Sequence, residues 1–202
     1  MTVAGLLDSA LRGRCSPPLL PVPGRAAELL TQLQAPLRLA AHLRLVHDVA
    51  AQLADWAARS CPALDFDRDA MLFGAATHDI GKTIFPAELT GPGSAHEEAG
   101  RDLLLSLGVS PALARFAATH ASWTSPGIGT EDLMVSVADK IWKGKRVTDL
   151  EDLLVARLAA ASSRDPWQEF ADLDTLLDAI GSGADHRFAW QASFPVHAGH
   201  GT

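Results

Sequence analysis

The feature that most constrains this chain is a segment at about 67–80 that is apolar on nearly every side of a helix. A helix of this kind has no face for water and must be surrounded by other elements. Gly81 follows the segment, and glycine commonly ends helices. We therefore predict a central helix whose last residues include His78 and Asp79.

Helix signals recur along the rest of the chain, where alanine and leucine dominate and β-branched runs are few. The predicted helices cover about 36–59, 95–107, 111–121, 131–143, 149–162 and 166–181. Ser94 and Glu97 form a capping-box pattern at the start of the helix at 95–107. The stretch CSPPLLPVPGR at 15–25 is too rich in proline for a helix. An all-α fold follows.

We divide the chain into three parts. Residues 36–146 are predicted to form a single helical bundle. An N-terminal helix and the proline-rich connector, 1–35, pack on it, and C-terminal helices with an irregular tail from 182 make up 147–202. A length of 202 residues favours one domain.

Composition limits the partners and the compartment. The formal charge of −7 argues against nucleic acid, whose binding depends on neutralising phosphates. No apolar run approaches the ~20 residues that span a bilayer, and the N-terminus lacks a secretion signal. Cys15 and Cys61 match no disulfide or metal spacing. We expect a cytoplasmic protein without a membrane partner, and a homodimer is left open.

The chain has two His-Asp pairs, and helical phase separates them. His42 lies within an apolar stripe of the helix at 36–59, whereas His47 lies about 140° around that helix at ~100° per residue. We therefore predict that His42 points into the bundle and that the pair His47-Asp48 lies on a solvated face. The stripe consists of Leu39, Leu43, Val46, Ala50 and Leu53.

Imidazoles and carboxylates recur at the inner faces or ends of five successive predicted helices. A single such histidine is more often a hydrogen-bonded core residue than a ligand. A convergent set has the composition of a buried site for a divalent transition metal. The set is His42, His78, Asp79, His96, His120 and Asp139.

With these residues in place, the chain resembles the HD-domain metal-dependent phosphohydrolase superfamily over about 38–146. The matching segments, in order, are AHLRLVHDVAAQLA, THDIGK, HEEAG, THAS and VADKI. The first segment selects His42 rather than His47 as the family histidine. The resemblance implies a helical bundle with a metal centre.

The resemblance also implies roles for the six residues. His42, His78, Asp79 and Asp139 match the family's one-metal pattern, and the addition of His96 and His120 is similar to its two-metal branch. In that branch Asp79 bridges both ions, and a water that they activate is the nucleophile. The expected cofactor is two divalent ions (Fe, Mn or Co, with Zn or Mg also possible).

Lysines near these segments are candidates for substrate binding. Lys82 belongs to the Ile-Gly-Lys form of the His-Asp segment, which places it near the site; without the resemblance, an exposed loop lysine is equally plausible. The basic cluster Lys140, Lys143, Lys145 and Arg146 begins beside Asp139 and binds phosphate or is simply a solvated face. The loop TIFPAELTGPGS forms a pocket wall or a plain connector.

The resemblance implies a phosphohydrolase acting on a phosphate ester or anhydride of a nucleotide, with Asp79 and Lys82 as catalytic residues. The chain is similar to symmetrical dinucleoside-tetraphosphate hydrolases in its ligand pattern and its closing Ala-Asp-Lys. It lacks the Gly-Tyr-Pro motif of cyclic-dinucleotide phosphodiesterases. Two alternatives stay open: a mixed-valent di-iron oxygenase, whose accessory tyrosine is missing in a chain without Tyr, and a regulatory module with a decayed site.

Overall fold

The computed structural model describes residues 2–196, which form helices, turns and loops without a strand. This confirms the all-α prediction. No helix among these residues combines the length and hydropathy needed to cross a membrane. The helices are α1 (Val3–Arg12), α2 (Gly24–Gln32), α3 (Leu37–Ser60), α4 (Arg68–Thr77), α5 (Ala95–Ser106), α6 (Pro111–Ala114), α7 (Phe116–Thr119), α8 (Thr130–Ile141), α9 (Thr148–Ser162), α10 (Pro166–Gly181) and α11 (Ala184–Ala192).

Helix α4 is central, as its composition predicts. Every residue from Ala70 to Thr77 is buried, and the helix packs against α3 and α8. The Asp67 side chain accepts a hydrogen bond of 2.9 Å from the Ala70 amide and so caps its start. Two hydrophobic clusters share α3 and α4: one extends mainly to α8, α9 and α10, and the other to α1, α2 and α5–α7. The two helices therefore connect the whole bundle.

The predicted end of the central helix is wrong by a few residues. Helix α4 ends at Thr77, and a 3-10 turn at Ile80–Thr83 follows the His-Asp pair. Gly81 has a packing role here, because a Cβ atom at this position would overlap the backbone of His96 and Gly100. Gly100 in turn allows the close approach expected of it, since its Cβ would lie 3.0 Å from the Gly81 amide nitrogen. This glycine contact holds α5 against the end of α4.

The segment predicted as one helix at 111–121 is two short helices joined at Arg115. The Arg115 backbone keeps helical angles (φ −54°, ψ −35°), but the Ala118 amide donates to its carbonyl three residues away. The turn therefore tightens locally before His120. The chain reaches His120 in the expected direction despite the interruption.

The prediction that His47 and Asp48 lie on a solvated face is wrong, because the proline-rich segment covers that face of α3. His47 is 4% exposed and Asp48 is 8% exposed. The Asp48 carboxylate accepts a 2.9 Å hydrogen bond from the Leu20 amide. Buried Arg44 donates to the carbonyls of Leu20 and Leu19 at 3.0 and 2.7 Å. This polar stripe of α3 therefore fixes the connector in place.

Two helices were not expected from the sequence. Helix α2 follows Pro23 within the segment assigned to the connector and its surroundings, and α11 replaces the irregular tail predicted from 182. Helix α11 contributes no buried residue, so it lacks the apolar stripe that reveals a helix. It is held by polar contacts instead: Arg187 donates to the Trp142 carbonyl at 2.6 Å, and Arg38 donates to the Phe194 carbonyl at 2.6 Å. The part of the predicted tail at 197–202 lies outside the described residues.

Burial of His47 makes stability sensitive to acid. Burial, with the nearby cations Arg68 and Arg44, lowers the pKa of His47 to about 4 from an ordinary value of 6.5. The unfolded chain therefore binds a proton that the native protein refuses, and stability falls as the pH drops from 6.5 toward 4. The linkage amounts to about 3 kcal/mol when complete. In the His47→Gln variant, the free energy of unfolding of chelator-treated protein should lose about 2–3 kcal/mol less than wild type between pH 7 and 4.5. Parallel pH profiles for the two proteins would contradict this assignment.

Candidate metal centre

The six candidate ligands meet at one end of the bundle. His42 lies in α3, His78 and Asp79 directly follow α4, and Asp139 lies in α8. His96 opens α5 and His120 follows α7. Each of the six residues is at most 9% exposed. The structure therefore brings together, in one buried cluster, side chains from five separate segments of the chain.

The two carboxylate oxygens of Asp79 face different histidines. Asp79 Oδ2 lies 3.2 Å from His42 Nε2 and 3.7 Å from His78 Nε2. Asp79 Oδ1 lies 2.9 Å from His96 Nε2 and 3.5 Å from His120 Nε2. Asp79 is thus the centre of the cluster, with two imidazoles on each side.

Asp139 completes one side of the cluster. Its Oδ1 lies 3.5 Å from His78 Nε2 and 3.7 Å from His42 Nε2. Two groups of three potential ligand atoms, each within 4.8 Å of one another, occur among the described residues: His42, His78 and Asp139 form one group, and His78, Asp79 and His120 form the other. His96 belongs to neither group, although it approaches Asp79 most closely of the four histidines.

Hydrogen bonds at the outer ring nitrogens determine which nitrogen faces inward as a lone pair. His78 Nδ1 lies 2.9 Å from the Ala75 carbonyl, and His120 Nδ1 lies 3.0 Å from the Ala117 carbonyl. A carbonyl oxygen only accepts hydrogen bonds, so Nδ1 carries the proton in the neutral form of each ring. The inward Nε2 atoms are then lone pairs that point at carboxylate oxygens.

This arrangement satisfies the chemical requirements of a metal site. His78 Nε2, His96 Nε2 and Asp79 Oδ1 are buried and have no hydrogen-bond partner. Buried polar atoms without partners are costly, and lone pairs facing lone pairs need a cation between them. Neutral imidazole and carboxylate oxygen suit divalent Fe, Mn, Co or Zn. The residues present therefore fit the metal centre expected from the sequence.

Electrostatics keep these groups in the protonation states that bind metals. Burial tends to raise the pKa of Asp79, but the nearby imidazoles of His78 and His42 outweigh it and hold the pKa well below the ordinary range. The pKa of Asp139 is likewise held low, since hydrogen bonding to His78 outweighs burial. Burial lowers the pKa of His120 to about 4. Near neutral pH the carboxylates are therefore ionised and this imidazole is uncharged, as metal coordination requires.

Glu88 is a site residue that sequence reasoning missed. Its carboxylate lies 2.5 Å from His96 Nδ1 and also accepts hydrogen bonds from the Ala95 and His96 amides at 3.2 and 3.3 Å. It therefore caps α5 in place of Ser94, whose side chain makes no capping bond, so the predicted capping box is wrong. The loop passes closely over Glu88 at Gly93, where a Cβ would overlap the carboxylate. The available signal was an acidic residue in the TIFPAELTGPGS loop, which the structure folds against the site.

The structure brings three of the five predicted basic residues to the site. Lys82 Nζ lies 2.5 Å from Asp79 Oδ2, and Lys140 Nζ lies 2.6 Å from Asp139 Oδ2. Lys143 lines the cavities beside the cluster, and burial lowers its pKa. The other two residues point elsewhere.

Lys145 is exposed and lies outside both cavities that adjoin the cluster. The Arg146 guanidinium is occupied by Glu151, Asp174 and Asp178 at 2.8, 2.7 and 2.6 Å. These contacts tie the start of α9 to α10. The structure therefore gives Arg146 a role in helix packing and does not bring it to the site that the sequence assigned to it.

A cavity of about 230 Å³ beside the cluster contains residues that the sequence did not suggest. Arg38 and Trp142 contribute from α3 and the end of α8, and Phe188 and Gln191 contribute from α11. Only knowledge that α11 is a helix packed on α3 could have revealed the last two. The centre therefore opens toward solvent through a wall built by the C-terminal segment.

Comparison with known families agrees with the arrangement of these residues. The family model described as HD domain matches residues 39–144, which include all six clustered residues. Neither the search of curated proteins nor the search of solved structures gave a match. Most members of the matching family are metal-dependent hydrolases. Because the match covers more than half of the chain, the protein belongs to the HD-domain family.

Proposed function

We propose that the protein is a metal-dependent phosphohydrolase that cleaves a phosphate ester or anhydride of a nucleotide-like substrate. The observation that carries the proposal is the buried Asp79 carboxylate, each of whose oxygens faces a different pair of imidazoles. A carboxylate in this position has one oxygen available for each of two cations. Family membership supports the class of reaction, and the surrounding lysines support an anionic substrate.

In this proposal the six residues divide between two ions. His42, His78, Asp79 and Asp139 would hold the first, and Asp79 with His96 and His120 would hold the second. Divalent transition ions supply two kinds of chemistry here: they polarise phosphoryl oxygens and lower the pKa of water enough for attack near neutral pH. The imidazoles contribute neutral donors, and the two aspartates partly offset the charge of the cations.

The lysines would bind and orient the phosphoryl group. Lys82 and Lys140 hold their ammonium groups against the outer oxygens of Asp79 and Asp139, at the rim of the cluster. Lys143 lines the cavities on both sides of them. Together they provide three compact positive charges where a phosphate with several negative oxygens would enter, and such preorganised charge stabilises phosphoryl transfer.

The direct test is a hydrolysis screen of nucleotides with protein loaded with Mn, Fe, Co or Mg, in air and under anoxia. Phosphate release independent of oxygen is expected, and metal removal by a chelator should abolish it. Turnover that needs oxygen would instead favour the di-iron oxygenase. A protein that binds metal and ligand but releases no phosphate would favour a regulatory module.

Replacing Lys82 with alanine should lower kcat/KM by about 10²-fold or more, the loss expected for one positioned transition-state donor. Metal content should stay at the wild-type level, because an ammonium group donates no ligand to a metal. Lys82→Arg should recover little activity, since a planar fork does not reproduce a compact ammonium.

The matched control is Lys145→Ala, which removes an exposed lysine outside the cavities. Its kcat/KM should stay near the wild-type value. If Lys82→Ala is as active as wild type on every phosphate ester tested, Lys82 is only a loop residue and its proposed role is wrong.

Glu88→Gln should weaken metal binding, because Glu88 orients His96 and polarises its ring through Nδ1. Loss of such an outer carboxylate typically costs 10- to 100-fold in metal affinity, and we expect an effect of about that size on the more weakly held ion. Competition with a chromophoric chelator measures it without reference to activity. Glu98→Gln, on the exposed side of the same helix, is the control and should bind metal like wild type. Equal affinity in all three proteins would show that Glu88 only caps the helix.

A further inference from the structure

The metal centre opens into two adjoining cavities that share four residues. The first, the polar arm, has a volume of about 250 Å³ and reaches His96, His120 and Lys140. The second, the aromatic arm, has a volume of about 230 Å³ and is lined by Arg38, Leu89, Trp142, Phe188 and Gln191. The shared residues are His42, Asp79, Lys82 and Lys143. A substrate phosphate at the shared residues can therefore extend its organic part into the aromatic arm.

Aromatic side chains form a continuous line from the metal centre to the outer wall of this arm. Trp142 packs edge-on against His42, with ring centroids 5.0 Å apart. On its other side the Trp142 ring meets Phe188 at a centroid distance of 5.2 Å. Trp142 is 4% exposed, whereas Phe188 is 45% exposed and lines the arm. Phe188 thus presents a large apolar surface to whatever enters.

The core does not explain the position of Phe188. Helix α11 contributes no buried residue, and the arginine contacts to main-chain carbonyls described above hold it in place. It also lies beyond residues 39–144, which match the HD family. Its visible contribution is to close the aromatic arm with Phe188 and Gln191. A helix placed in this way adds a wall to the family's site.

The chemistry of the arm selects the kind of group that fits it. Leu89, Trp142 and Phe188 supply apolar surface, which suits the faces of a flat ring. The Gln191 carboxamide offers both donors and an acceptor, which suit the polar edge of a heterocycle. An aliphatic group would leave the amide unused, and a bare sugar phosphate would leave the exposed Phe188 ring without a stacking partner.

We infer that the aromatic arm binds an aromatic heterocycle of the substrate, such as a nucleobase, and that Phe188 and Gln191 on α11 determine this specificity. The inference rests on the proposed function and identifies which part of a phosphorylated substrate is recognised. Phe188 stacks on the ring and Gln191 bonds to its edge, while the phosphate stays with Lys82 and Lys143.

The test compares a nucleoside monophosphate with ribose 5-phosphate, which lacks the base, on the full chain loaded with Mn²⁺. All four common bases are tried. The quantity measured is the ratio of kcat/KM for the two substrates. Phe188→Ala should lower this preference for the base by about 10- to 100-fold, the range seen when an aromatic stacking partner is removed. Phe188→Trp should retain the preference, and Gln191→Ala should lower it and change the order of preference among the bases.

Phe170→Ala is the matched control, because Phe170 is 44% exposed but lies on α10, away from the arm. Its base preference should equal that of wild type. An unchanged preference in Phe188→Ala, or equal losses on both substrates, would overturn the inference.

Binding titrations separate this inference from the proposed function. Isothermal titration of the Mn²⁺-loaded protein gives Kd for the same two ligands without turnover. If no phosphate is released but Phe188→Ala still weakens nucleotide binding relative to ribose 5-phosphate, the proposed hydrolysis fails and the assignment of the arm holds. If wild type binds both ligands equally well, the assignment of the arm fails whatever the enzyme hydrolyses.

Discussion

The Asp79 carboxylate is the group on which the rest of the site depends. It is 3% exposed, and an ionised carboxylate that deep in a protein is costly unless opposite charge or hydrogen bonds compensate it. Four imidazoles and the Lys82 ammonium surround it, and its outer oxygen lies 2.5 Å from that ammonium. The cluster therefore concentrates electrostatic demand at one point that only cations satisfy. Metal binding would relieve that demand, so folding and loading of the centre should be coupled.

The bundle meets this demand with close helix packing. Phe116 packs against α4 where Gly74 leaves room for its ring, and Gly81 and Gly100 bring the start of α5 against the His-Asp turn. These contacts set where His96 and His120 stand relative to Asp79. Larger side chains at the glycines would move whole helices, and the ligands would move with them. Positions far less reactive than the ligands thus control the geometry of the centre.

Periodicity and motif spacing predict the central helix, the inward side of His42 and the six-residue cluster, because these depend on local sequence. They fail where partners are distant in the chain. His47 and Asp48 follow the polar phase of α3, yet the proline-rich segment buries them. Glu88 acquires its role only when the loop folds onto His96, and α11 has no apolar stripe to reveal it. In each case the missing information is a tertiary contact.

Anomalous X-ray diffraction from crystals of the metal-loaded protein, recorded at the absorption edge of the bound metal, tests the central claim most directly. The account predicts two peaks, one beside His42, His78 and Asp139 and the other beside His96 and His120, with the Asp79 carboxylate between them. A single fully occupied peak, with His96 and His120 turned away from it, would contradict the two-ion centre and reduce the site to a mononuclear one.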